Sequence, residues 1–235
     1  MATPNVLMIN EFQASALAFS SLEKNRQGGK QVFVSREGFK NKIVLQTPAV
    51  HLPFGITPYQ DANTGNVLSW SMDVSFKESP EFLEAMRQVD SALVDVATAR
   101  SADWFGKPMP REVVSEFTRL LVRDPKNPQY APTMKIKVPC VNGNETTKFY
   151  DERRQPVPME YVTKGTTVRV IMELSPVWFL NKNLGVSWKA LQVAVVSRPR
   201  VIEDYAFVGD ANDAHDAHDA HEAHEEDGKN AALEM

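Results

Sequence analysis

A single cysteine, Cys140, stands among the 235 residues. It cannot close an internal disulfide, so a secreted disulfide scaffold is excluded and a reducing compartment is the expectation. Long apolar runs are also missing. The longest charge-free stretch, 43–60, holds three prolines, a histidine and two glutamines, which is no membrane span. The N-terminus has no basic segment followed by an apolar run, so a secretory leader is not expected. These absences point to a soluble intracellular protein. Catalytic signatures are equally scarce. Gly28-Gly29-Lys30 lacks the upstream glycine and the following Ser or Thr of a phosphate loop, and no dinucleotide fingerprint occurs. Gly185-Val186-Ser187-Trp188-Lys189 has Lys where a nucleophile elbow needs Gly. Cys140 and His51 form the one thiol–imidazole combination in the body, and a lone Cys is ordinarily a small buried hydrophobe. Asn144-Glu145-Thr146 spells a glycosylation acceptor with nothing else to suggest secretion. A non-enzymatic protein without a cofactor is the expectation.

The net charge of −4 is small, but it is an average over two unlike parts. Residues 203–235 carry eleven acidic side chains and one basic one, leaving 25 basic and 19 acidic residues in 1–202. The tail is therefore at −10 and the body at +6. Opposite signs in body and tail point to a polyanionic partner for the body. In the tail, Asp213-Ala214-His215 recurs as Asp216-Ala217-His218 and Asp219-Ala220-His221, followed by Glu222-Ala223-His224. Dense like charge with little to bury predicts disorder over 206–235. His215, His218, His221 and His224 could grip zinc or nickel transiently, but a flexible array lacks the closed shell of a structural site. His221-Glu222-Ala223-His224 is one residue too short for a zinc-protease helix.

Hydrophobic residues make up 43% of the chain, enough for one domain with a core, placed at 1–205. Gln31–Ser35 and Ile43–Thr47 read as short strands around Gly38, a hairpin. In 67–76, Leu68, Trp70, Met72, Val74 and Phe76 alternate with Ser69, Ser71, Asp73 and Ser75, the period of a half-buried antiparallel strand. The period then turns helical. Ser79 and Pro80 start a helix whose Phe82, Met86, Val89, Leu93 and Val96 fall on one face. A second helix runs from about Pro110, with Val113, Val114, Phe117, Leu120 and Leu121 inward, to Asp124-Pro125. Strand periods return at 134–138, at 146–150 after a turn at Asn142-Gly143-Asn144, and at 166–174, 177–180 and 185–197. Strands around a helical insertion at about 79–122 predict a mainly β, α+β protein. Its expected form is a five-stranded Greek-key barrel of OB type with additional N-terminal strands and two helices.

Basic residues interleave with aromatics on these strands. Lys135 and Lys137 share the polar face of one strand and Arg169 lies on another; Trp178, Phe179, Lys182, Trp188 and Lys189 surround Gly185; Tyr130, Lys148, Phe149 and Tyr150 lie nearby. Single-stranded nucleic acid calls for this mixture, because cations follow phosphates while rings stack on bases. Strand aromatics are also the commonest core residues, and lysines the commonest solvated ones. The expected phosphate contacts are Lys135, Lys137, Lys148, Arg169, Lys182 and Lys189, with Tyr130, Trp178 and Trp188 as stacking platforms. The acidic tail would compete for the same groove and recruit other proteins once displaced. Self-association stays open. The alternative is a structural or virion interaction protein whose tail is solubilising.

In order along the chain run Leu45-Gln46-Thr47-Pro48, Leu52-Pro53-Phe54-Gly55, Trp104-Phe105, Tyr130-Ala131-Pro132-Thr133, Val177-Trp178-Phe179 and Gly185-Val186-Ser187-Trp188-Lys189. Together they resemble a single-stranded-DNA-binding family of large eukaryotic DNA viruses, similar to phage-type proteins with an OB fold and an acidic tail. The resemblance spans about 31–197. It implies a replication, recombination or repair factor that coats single-stranded DNA with the barrel's strand face, meets replication proteins through its tail, and works where viral DNA is copied in the host cell.

Overall fold

The computed structural model describes residues 5–39, 41–141 and 144–199. The acidic segment, its four histidines and the Asn142-Gly143 turn lie outside the described residues.

The strands and helices used below are β1 (Lys30–Val32), β2 (Val44–Gln46), β3 (Val50–His51), β4 (Ile56–Gln60) and β5 (Val67–Ser75), then α1 (Pro80–Ala99), α2 (Ser101–Phe105) and α3 (Arg111–Phe117). They continue with β6 (Thr118–Arg119), β7 (Thr133–Val138), β8 (Lys148–Tyr150), β9 (Thr167–Leu174), β10 (Val177–Leu180), β11 (Asn183–Gly185) and β12 (Trp188–Ser197). The protein is mainly β, with three α-helices among the described residues.

Alternation on β5, β7 and β9 does what period two requires. Met72, Val74, Met134, Ile136, Val168 and Val170 are all buried, while Ser, Asp, Lys and Arg occupy the other side. The pairings of the large sheet return on themselves. β3 lies antiparallel to β5, β5 to β7, β12 to β9 and β9 to β3, while β7 and β12 run parallel and close the circuit. β4 extends β5 on one side, β2 lies along β9, and β8 runs parallel to β12. The interior side chains of all five circuit strands thus share one core. α1 adds Phe82, Met86 and Leu93, all fully buried, and Phe76 meets Phe82 at 5.0 Å between ring centres.

A smaller sheet holds β6, β11, β10, β1 and Glu23–Lys24, in that order. The link between β10 and β11 is a two-residue turn with positive φ at Asn181 (49°) and Lys182 (68°). That is the geometry matching the twist of a hairpin, and Asn is well suited to its first position.

Three expectations need correction. Gln31–Ser35 and Ile43–Thr47 do not pair with each other. β1 pairs with β10, Val34–Arg36 with Leu17–Phe19, and β2 with β9 and Val6–Met8. The second helix stops at Phe117 instead of reaching Asp124, because Thr118 and Arg119 enter the small sheet against Leu184 and Gly185. The Asp90 carboxylate then takes the N–H groups of Leu121 (2.7 Å) and Val122 (3.1 Å). The stretch 185–197 is divided between two sheets, with Gly185 in the small one and Trp188 opening β12 in the large one.

Candidate nucleic-acid interface

Register on the circuit strands and β8 assembles five of the six expected phosphate contacts on one outward face. Thr57, Ser71, Lys137, Lys189 and Glu173 are successive cross-strand partners on β4, β5, β7, β12 and β9. A second row runs Lys148, Gln192, Ile171, and a third Tyr150, Ala194, Arg169. Lys135 follows Lys137 two residues back on β7, opposite Asp73. Lys135, Lys137, Lys148, Arg169 and Lys189 therefore emerge on one side of a contiguous sheet.

Lys137 and Lys189 are the informative pair. Like charges directly opposite on neighbouring strands are destabilising, yet these two are in register and adjacent. Among the described residues neither has a carboxylate partner, because Glu173 is taken by Lys42 at 2.8 Å. Partial desolvation, and then the positive charge of Lys189, push the Lys137 ammonium below the usual lysine range. Lys135 is already engaged, donating to Ser71 Oγ at 3.2 Å and to Asp73 Oδ2 at 3.3 Å. Arg123 approaches Asp73 from the other side at 3.6 Å. An anion laid across this face would meet Lys137 and Lys189 unpaired and Lys135 partly neutralised.

Exposed rings flank the lysines. Tyr130, 69% exposed, sits in the loop before β7, and Tyr59, 65% exposed, pairs with Ser69 on the far end of β5. The rows they flank are six residues apart along β5, about 20 Å at strand rise. Tyr59 escaped the sequence reading because Pro58 hides the alternation of β4.

The two late tryptophans are elsewhere. Trp188 is 0% exposed and packs edge-on to Phe12 at 6.4 Å. Its neighbour Lys189 faces out, so the strand period turns Trp188 inward, and it offers no face to a base. The stacking role expected for it is withdrawn. Trp178 is half-buried on the small sheet, across from Gly185. A Cβ on Gly185 would fall 2.5 Å from Trp178 Cζ2, so only glycine admits this ring. Lys182, at the tip of the β10–β11 hairpin, belongs to a different concavity.

That concavity, about 520 Å³, lies between α2, α3 and the β10–β11 hairpin. Its apolar wall includes Trp104, Phe105, Met109, Val113, Phe117 and Phe179, and Lys30, Lys107 and Lys182 also line it. Trp104 and Phe105 meet Phe179 edge-on, at 5.4 and 6.3 Å. Lys30 and Lys107 come from distant parts of the chain, and no local signal joins them. A smaller hollow of about 310 Å³ has Phe54, Ile56, Trp70 and Met159 beside Lys164 and Glu160.

The Cys140–His51 combination comes apart. His51 is level with Ser75, which is level with Thr133 at the start of β7, whereas Cys140 lies beyond its end. Seven residues of strand separate the levels, about 23 Å. Burial and then Glu145 push the Cys140 thiol up, the reverse of an activated thiolate. Among the described residues no group of three His, Cys, Asp or Glu is placed to hold a metal ion. No helix among them is long and apolar enough to cross a membrane.

Comparison with solved structures finds phage single-stranded-DNA-binding proteins. The protein from bacteriophage Enc34, solved in complex with single-stranded DNA, is 8% identical, with 78% of this chain and 98% of that chain covered and a TM-score of 0.44. A second structure of the bacteriophage Enc34 single-stranded DNA-binding protein is 10% identical, covering 84% and 99%, at 0.42. Bacteriophage T7 gp2.5, a single-stranded DNA binding protein, is 13% identical, covering 71% and 98%, at 0.45. No curated protein matches the sequence. Residues 63–209, more than half of the sequence and including β5 through β12, match the model of a family of unknown function (DUF5871), and the chain belongs to that family.

Proposed function

We propose that the protein binds single-stranded DNA, with little sequence preference, across the outward face of β5, β7, β12 and β9. The observation that carries this is the in-register pair Lys137 and Lys189, without a carboxylate partner among the described residues and set among Lys148, Arg169 and Lys135. A phosphate backbone relieves their mutual repulsion, and Tyr59 and Tyr130 are placed for base stacking worth about 1–3 kcal/mol each. The circuit of five strands, with a single parallel pairing between the third and the fifth in chain order, supports an OB-type barrel as its frame. The working role is that of a replication, recombination or repair factor. The −10 segment 203–235 competes for the cationic face at roughly millimolar effective concentration and contacts other proteins when DNA displaces it.

The test is the salt dependence of binding to fluorescein-labelled oligo-dT. Each phosphate neutralised contributes about −0.7 to the slope of log K against log salt. Lys137→Ala/Lys189→Ala should make the slope shallower by about 1.4, so that its deficit against wild type shrinks about 25-fold over a tenfold rise in salt. Equal slopes for the two proteins would overturn this reading.

A further inference from the structure

The groove between α2, α3 and the β10–β11 hairpin has a composition that the DNA-binding face does not share. We infer that it is a docking site for an acidic peptide segment of a partner protein, which inserts one apolar or aromatic side chain and lays carboxylates against Lys30, Lys107 and Lys182. Charge complementarity supplies the occupant. Among the described residues three lysines line the groove, and no Asp or Glu does. Lys30 is fixed in the wall, its Nζ donating to the Trp104 carbonyl at 3.0 Å. An ammonium carries three donors, so two remain for a ligand. Lys182 is held out on a turn whose two central residues both have positive φ, which fixes its origin. The size, about 520 Å³, is that of a site for a small ligand or a side chain.

The interior excludes a run of nucleotides. Stacking needs ring faces open to the ligand, whereas Trp104 is buried, and Phe105 and Phe179 are half-buried with the Phe179 ring tilted at 90° to Trp104 and 66° to Phe105. Met109, Val113 and Leu180 complete a wall that accepts an aliphatic or phenyl group and offers bases no parallel surface. Charge-assisted contacts to the lysines orient the peptide, and the apolar insertion supplies the anchor.

The probe is a fluorescein-labelled peptide with three aspartates on each side of a central phenylalanine, titrated by anisotropy against the full chain at low salt. A matched peptide has alanine at the centre. Lys107→Glu/Lys182→Glu should weaken the phenylalanine peptide by about tenfold or more, given the strength of charge-assisted contacts. The alanine peptide should bind wild type several-fold more weakly, a comparison that needs no variant to fold. Lys137→Ala/Lys189→Ala should leave the peptide affinity unchanged, and saturating oligo-dT should not displace it. Indifference to the groove variant, or equal binding of the two peptides, overturns the inference while leaving the DNA-binding face standing. Loss of oligo-dT affinity in the groove variant, with peptide binding intact, assigns the groove to nucleic acid and overturns it too. Equal oligo-dT salt slopes for wild type and Lys137→Ala/Lys189→Ala would overturn only the proposed function and leave the groove inference standing.

Discussion

Asp90 gives a sharp test of how the helical layer is held. It lies on α1, buried, and its carboxylate accepts the N–H groups of Leu121 and Val122. Burial pushes its pKa up to about 6, and the two hydrogen bonds pull only partly in the other direction. In the unfolded chain the group titrates near the ordinary value of 3.8. Over the intervening range the folded state binds the proton more tightly, so stability is greatest below the unfolded value and falls as pH rises through the folded one. The gap between the folded and unfolded values is worth about 3 kcal/mol in all, of which roughly 1 kcal/mol falls between pH 7 and pH 5. Asp90→Asn removes the titration while keeping the shape. At pH 7 it sheds the cost of a buried charge but turns an amide donor toward one of two backbone donors, a conflict of about 1–3 kcal/mol. The sign at pH 7 is thus set by opposing effects, and the pH trend is the diagnostic quantity. Urea unfolding of both proteins at pH 7 and pH 5 should show wild type gaining about 1 kcal/mol relative to Asp90→Asn on acidification. Parallel profiles would refute a destabilised carboxylate at this position.

Two further perturbations probe the other layers. Gly185→Ala places a Cβ 2.5 Å from Trp178 Cζ2 and 3.1 Å from the Arg119 carbonyl oxygen. Overpacking of this kind costs about 1–3 kcal/mol; a lowered thermal midpoint with red-shifted tryptophan emission is expected, and an unchanged melt would contradict the packing. Deleting residues 206–235 should tighten oligo-dT binding at low salt and weaken recruitment of partner proteins. Unchanged low-salt affinity would remove the tail as a competitor.

Strands with one buried face announced themselves. Met134, Ile136 and Val138 against Lys135 and Lys137 can be assigned inside and outside from the sequence, because a period of two separates core from solvent without knowledge of the partner strand. The partner is what the sequence conceals. That Lys137 faces Lys189 depends on a parallel pairing between segments some fifty residues apart, and nothing local encodes it. Trp188 shows the opposite failing. Its inward placement follows from the outward Lys189 beside it, but composition alone favoured an aromatic beside a cation as a ligand pair. The helical period through Leu120 and Leu121 continues past Phe117, and only the buried carboxylate of Asp90 and the pairing of Thr118 with Leu184 end that helix early. Lys30, Lys107 and Lys182 meet in one groove through three separate elements, a convergence that requires the tertiary structure.

β12 pairs with β9, β7 and β8, and it is the last strand of the described body. A chain emerging from the ribosome therefore cannot close the circuit between β7 and β9 until Ser197 has left the exit tunnel. Contacts between segments far apart in sequence also make folding slow. During that delay Met134, Ile136, Val138, Val168 and Val170 wait with their apolar sides uncovered, and a ribosome stalled before codon 188 would present an open, aggregation-prone sheet.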